Sequence, residues 1–179
     1  MKTLAYGLPR LRTKQLALLG ILMALQLVIS RFSLGTATLK VGFTFLIVGI
    51  IAKWYGPYWG MLVATVMDVI SSLMNGYGYF WGFTISAIVA AGIYGFSFYG
   101  RQTISWLRLI ITVFLVLLIV NVMLNTLWVT MIGNIHNMQT IMSLLWLRII
   151  KQVIFWPIQS ILLYFLLNNK TIEEVHRKI

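Results

Sequence analysis

Six apolar stretches follow one another along this chain, and charge is confined almost wholly to the gaps between them. They are Leu16–Ser30, Val41–Ala52, Tyr58–Leu73, Phe80–Tyr99, Ile104–Ile132 and Ile141–Leu167. A helix needs ~20 mainly apolar residues to cross the hydrocarbon core of a bilayer. No water is available there, so each crossing segment must bond its own backbone groups, and a run of this kind is read as a helix. The first stretch is a little short and the second shorter still, ended by Lys53. The second and third are nearly one apolar stretch, but Gly56-Pro57 stands between them as a turn signal. The expected fold is therefore an all-α integral membrane protein of six transmembrane helices, a single domain over residues 1–179. Composition agrees: 60% of residues are apolar and 9% charged, with mean hydropathy +0.92, against about 25% charged in an ordinary soluble domain. Apolar runs recur down the whole chain, so the N-terminus does not read as a cleavable signal peptide.

The charges orient this bundle. The net charge is +11, which taken alone would point to nucleic acid. The bases instead sit between apolar runs, as they do in membrane proteins. Lys2, Arg10, Arg12 and Lys14 precede the first run, Lys53 lies between the second and third, and Arg101 and Arg108 flank the turn before the fifth. Lys170, Arg177 and Lys178 follow the sixth. Six crossings put all of these on one side, leaving only Arg31 and Lys40 opposite. The positive-inside rule then places both termini in the cytoplasm. Residues 1–14 form a basic cytoplasmic flank and 171–179 a polar tail, in which Thr171 reads as an N-cap with Glu173 and Glu174 in the first turn.

Three ionisable residues stand well inside the apolar runs, where they are costly and mark functional sites by default: Asp68, Arg148 and Lys151. Arg148 and Lys151 are three apart and share a helix face. Asp68 neutralises at most one of them, and the remaining positive charge calls for an anionic ligand, a helix-end carbonyl or water. At 1.5 Å per residue, Arg148 lies about 10 Å and Lys151 about 15 Å inward from the outer end of the sixth run. With Arg31 and Lys40 above them, they outline a positively lined cavity open to the outside. A purely structural pairing of the same residues is the alternative.

Aromatic residues cluster at the outer ends: Tyr77, Tyr79, Phe80, Trp81 and Phe83, then Phe43 and Phe45, then Trp128 and Trp146. An interfacial belt accounts for many such residues, while a planar heterocycle is well held between aromatic faces. Asn121 and Asn125, four apart, present amides on one face of the fifth run, for a ligand or for helix–helix bonding. In the first run Gly20-x-x-x-Ala24, with Ala17 nearby, lets another helix approach closely, whether from this bundle or a partner. The chain has no cysteine, which excludes disulfides and thiolate metal sites. It has no GxxxxGK[ST] run and no HExxH, so it carries neither a P-loop nor a zincin site.

Taken in order, Gly20-x-x-x-Ala24, GPYWGMLVATVMDVI at 56–70, YFWGFTISA at 79–87, NTLW at 125–128 and LRIIKQVIFWPIQ at 147–159 resemble the folate-specific S components of energy-coupling factor (ECF) vitamin transporters. The resemblance covers nearly all of the membrane portion. It implies six helices, a substrate cavity open to the outside, no ATPase in this chain and no cofactor beyond the bound ligand, folate. It also implies a bacterial cell membrane. The partners it implies are a shared transmembrane coupling protein and two cytoplasmic ATPase subunits, docked through the small-residue face Ala17, Gly20 and Ala24. The family often has Ala where Gly20 stands here, and the side chain stays small. Folate carries a flat pterin, an aromatic linker and two carboxylates. The aromatic residues Phe43, Trp81, Phe83 and Trp128 with Asn121 and Asn125 suit the rings; Arg148, Lys151 and Lys40 suit the carboxylates. By analogy Thr84 and Ser86 stand by the cavity as hydroxyl donors. Asp68 either orients a base or binds the pterin amine.

Three other readings compete: an S component for riboflavin or a thiamine precursor, a small membrane enzyme acting on a lipid, and a noncatalytic assembly subunit. The lipid enzyme lacks the paired acids or histidine cluster it would need. The outer loops Arg31–Lys40 and Asn75–Tyr79 are the expected gates.

Overall fold

The structure is a computed structural model, and it describes residues 11–32, 42–75 and 78–177. Lys40 and Tyr77 lie outside the described residues, as do most of the expected gate Arg31–Lys40 and the middle of Asn75–Tyr79. Among the described residues every regular element is helical: α1 (Thr13–Arg31), α2 (Thr44–Asn75), α3 (Trp81–Phe98), α4 (Trp106–Val116), a π-helical segment (Leu117–Leu124), α5 (Asn125–Ile132), α6 (Met138–Leu167) and α7 (Lys170–Arg177). Five helical runs are long and apolar enough to cross a membrane: Thr13–Arg31, Thr44–Met74, Trp81–Phe98, Trp106–Ile132 and Met138–Leu167.

The expected turn at Gly56-Pro57 is visible as a break within α2. Gly56 has φ 81° and ψ −176°, a region essentially closed to residues with a side chain. Pro57 then restarts the helix without the N–H that a first-turn residue has no use for. Contacts on either side show where the two arms go. Before the break, Lys53 donates to the carbonyl of Leu167 at the end of α6. A Cβ on Gly49 would meet Leu163, and Thr44 and Phe45 reach the level of Asn121 and Lys151. After the break, Gly95 of α3 packs on Pro57 so closely that a Cβ there would run into its Cα. Gly60 faces Ala91, and Asp68 reaches Thr84. Both arms thus climb away from the level of Gly56, one along α6 and the other along α3.

The core sits between these arms and the remaining helices. Leu22 of α1, Ile51 of α2, Phe98 of α3, Leu109 of α4 and Leu163 of α6 are all buried in one cluster. Side chains facing out are largely apolar too, among them Ile21, Leu107, Val153 and Phe165, as expected where lipid rather than water is the surrounding solvent. Polar groups stitch the end at which α6 stops. The Asn168 side chain brackets Ile104, accepting from its N–H at 2.9 Å and donating to its carbonyl at 3.1 Å. Tyr55 donates to the carbonyl of Gln15, tying α2 to α1. The tail helix begins one residue before Thr171, and its cap is Asn169, whose side chain accepts from the Thr171 N–H at 2.9 Å. Thr171 is therefore not the cap; the amide two residues earlier reaches the open N–H first.

Candidate functional site

Two of the intramembrane residues singled out from sequence, Asn121 and Lys151, line a cavity of about 270 Å³ between α2, α3, the π segment and α6. Thr44, Phe45, Tyr94 and Gln152 share its wall, and Gln159 and Phe155 continue it along α6. Arg148 lies one turn from Lys151. Its Nη1 donates to the backbone carbonyl of Asn121 at 3.2 Å, and its Nε is buried with no hydrogen-bond partner among the described residues. Asn125 Nδ2 donates to Asn121 Oδ1 at 3.4 Å, which leaves the buried Asn125 Oδ1 as a second polar atom without a partner there. A buried donor and a buried acceptor left open beside the same residue carry a full desolvation cost unless something completes them. Together with the ammonium of Lys151, they suit a polar ligand with anionic character.

The remaining residues gather at the N-terminal end of α3. Asp68 Oδ2 accepts from Thr84 Oγ1 at 2.7 Å, and Thr84 Oγ1 is 2.8 Å from the Tyr79 hydroxyl. The second arm of α2 runs along α3, and this brings Asp68 to a neutral hydroxyl partner there. Trp128 Nε1 donates to Ser86 Oγ at 3.0 Å. The Trp128 ring lies 5.4 Å from that of Trp81 and 5.9 Å from that of Phe80, with Phe83 5.8 Å from Phe80. Phe43 and Phe45 form a separate pair, centroids 6.4 Å apart. Thr84, Ser86 and Trp128 are buried. The predicted residues thus form one group at the cavity, with Asn121 and Lys151 on its wall and Asn125 and Arg148 bonded to Asn121 beside it, and an aromatic–hydroxyl group (Asp68, Trp81, Phe83, Thr84, Ser86, Trp128). The run from Asn121 to Trp128 joins them within about 10 Å along one helix axis.

Several lining residues escaped sequence reading although their signal was present. Arg148, Gln152, Phe155 and Gln159 follow one another at helical spacing, so two intramembrane glutamines share the face of the arginine. On α1, Ala17, Gly20 and Ala24 are exposed while Leu19 and Leu22 turn to the core. A Cβ added to Gly20 would meet nothing within 4 Å. Internal packing is therefore not what the small-residue face serves within the described residues.

The model of the family described as the ECF transporter, substrate-specific component, matches residues 14–167. A protein of Leuconostoc mesenteroides named "Folate transporter FolT" is 41% identical over 99% of this chain and 97% of its own length. A second of that name, from Clostridium novyi, is 31% identical over 82% of this chain and 83% of its own. Among solved structures, one described as the crystal structure of FolT bound with folic acid superposes with a TM-score of 0.79 and 37% identity, covering 88% of this chain and 94% of that one. The chain belongs to the family of substrate-specific components of ECF transporters.

Proposed function

We propose that this protein is the folate-binding S component of an ECF-type transporter in a bacterial cell membrane. It takes folate from outside and releases it inward when docked on an energising module. The observation that carries the reading is the likeness, at 37% identity and over nearly the whole fold, to FolT bound with folic acid. The cavity supports it: Lys151 and Arg148 offer charge to the glutamate carboxylates, Asn121 and Asn125 offer amides to a heterocycle edge, and the aromatic group above offers faces to rings. Asp68, Thr84 and Ser86 hold those aromatics in place, and Lys40 and Phe43 are assigned to the same ligand as a further charge and a further ring face.

The reading includes six membrane crossings with both termini inside. The reversal at Gly56 favours six, since its two arms both run toward the outer end. Energy comes from partners: a transmembrane coupling protein, met by Ala17, Gly20 and Ala24, and two ATPase subunits.

Binding is tested on detergent-purified protein by calorimetric titration with folate, riboflavin and a thiamine precursor. Tight binding of folate alone is expected. Tight binding of another vitamin sinks the substrate assignment and leaves the family intact. Binding of none of them favours a ligand-free assembly role. Arg148→Ala is expected to weaken folate at least tenfold more than pteroate, which lacks the glutamate carboxylates; an equal loss for both would make Arg148 a structural residue.

A further inference from the structure

The fifth crossing is one continuous run, yet it carries two side-chain contacts to different neighbours. At Asn121 it meets α6, through the carbonyl that accepts from Arg148 Nη1. At Trp128 it meets the start of α3, through the indole N–H on Ser86 and inclined ring contacts with Trp81 and Phe80. From Asn121 up to Leu124 the backbone is π-helical, and it returns to α-helix only at Asn125. The Asn125 N–H donates to the carbonyl of Val120, five residues back, where an α-helix would close it on Asn121. Widened turns of this kind are rare, carry an extra residue and occur mostly at functional sites. Here the widening has a definite chemical result. It takes the Asn125 N–H off the Asn121 carbonyl, and the arginine of the cavity binds that carbonyl instead.

We propose that the π segment Leu117–Leu124 is a register device for the binding site. It sets Asn121 on Arg148 and Trp128 on Ser86 within one helix, and ligand capture depends on both contacts being held together. Removing the extra residue rotates one half of the span against the other by about 100°. The helix then keeps its grip on α6 or on α3, not on both. In either case Arg148, Asn125 and the aromatic group no longer address one ligand. Asn121 acts through its carbonyl as a positioning residue for Arg148. The inference rests on the folate reading of this cavity.

The test deletes single residues that face away from the bundle, ΔLeu118 and ΔMet123, with the substitution Leu118→Ala as control; both side chains are exposed. Folate and pteroate affinities are measured by titration on the purified full chain. Wild type and Leu118→Ala are expected to bind folate tightly and to prefer it over pteroate. Each deletion is expected to lose at least a hundredfold in folate affinity, and its folate-to-pteroate ratio is expected to fall to that of Arg148→Ala. A general loosening of the bundle would weaken both ligands alike and keep the ratio, which overturns the proposal, as does a deletion variant with wild-type affinity. Adding Arg148→Ala to a deletion is expected to cost nothing more; full additivity overturns the proposal. If the deletions do not fold, hydrogen exchange on the wild type decides. Folate is expected to slow the amides of residues 119–126 at least tenfold more than those of α1, and equal slowing overturns the inference. A wild type that fails to bind folate refutes the substrate reading instead, so the two failures are distinct.

Discussion

A lysine amine taken out of water needs an acceptor for every N–H, and Lys53 has found three. It donates to the carbonyl of Leu167 at 2.6 Å, to that of Gln102 at 2.9 Å and to Glu173 Oε2 at 2.9 Å. Its side chain is 5% exposed. By sequence Lys53 reads as one more base in a cytoplasmic turn; the structure makes it the peg on which three chain segments hang. Its burial is not legible locally, because the acceptors are contributed by residues about 50 and 120 positions away. Breaking one partner of a buried ion pair is costly because the other charge stays behind. Lys53→Met removes all three bonds and is expected to cost about 3 kcal/mol. Glu173→Gln keeps the two carbonyls and is expected to cost about 1–2 kcal/mol, since Glu173 is itself partly exposed. Thermal unfolding in detergent orders the two; equal midpoints for Lys53→Met and wild type would show that the peg contributes nothing. Asp68 teaches the opposite lesson about single residues. Its rarity in the bilayer singles it out by sequence, but its partner, Thr84, is set by which helix the second arm of α2 follows.

At the level of elements, the apolar runs were readable to within a few residues, because length and composition alone decide what can sit in hydrocarbon. Phe80–Tyr99 appears as Trp81–Phe98, and Ile141–Leu167 as Met138–Leu167. The turn between the second and third runs was also readable, since Gly-Pro is a local signal and the backbone at Gly56 needs a residue without Cβ. Gly56→Ala is expected to destabilise the protein by about 1–3 kcal/mol through the disallowed backbone region alone. The new Cβ would also stand 3.0 Å from the Tyr99 ring. Unfolding midpoints of Gly56→Ala and the neutral control Ala64→Ser separate this from a general sensitivity of α2. The π segment was not readable. LLIVNVML has the composition of any transmembrane helix, and its widened turn follows from contacts to α3 and α6 that no local pattern encodes. The stripe Arg148, Gln152, Phe155 and Gln159 is a middle case: its helical spacing is local and legible, but a glutamine carries no charge to set it apart from an ordinary helix-bonding amide.

On the scale of the molecule, the proposed recognition and the proposed coupling call on opposite kinds of surface. The cavity is walled by Asn121, Lys151 and Gln152, and beside it Arg148 and Asn125 carry buried polar atoms with no partner among the described residues. The small-residue face of α1 looks outward. Only Leu19 and Leu22 of that helix are buried, so α1 is held lightly by its own bundle and leaves Ala17, Gly20 and Ala24 free for another helix. In lipid there is no hydrophobic force to bring helices together, and close backbone approach over small residues is what remains. A bulky residue at Gly20 therefore has an effect that depends on which of the two surfaces is assayed. Its Cβ meets nothing in the free protein, so Gly20→Leu is expected to bind folate with the affinity of wild type. Assembled with the coupling protein and ATPases, the same variant is expected to lose most of its folate uptake, because the leucine holds the partner backbone away by several ångströms. Uptake assays in reconstituted vesicles, run beside folate titration of the isolated chain, measure both. Normal uptake by Gly20→Leu would move the docking face elsewhere on the bundle. Loss of folate binding in the isolated variant would instead tie α1 to the cavity, through Leu19 and Leu22 and the core they share with α2.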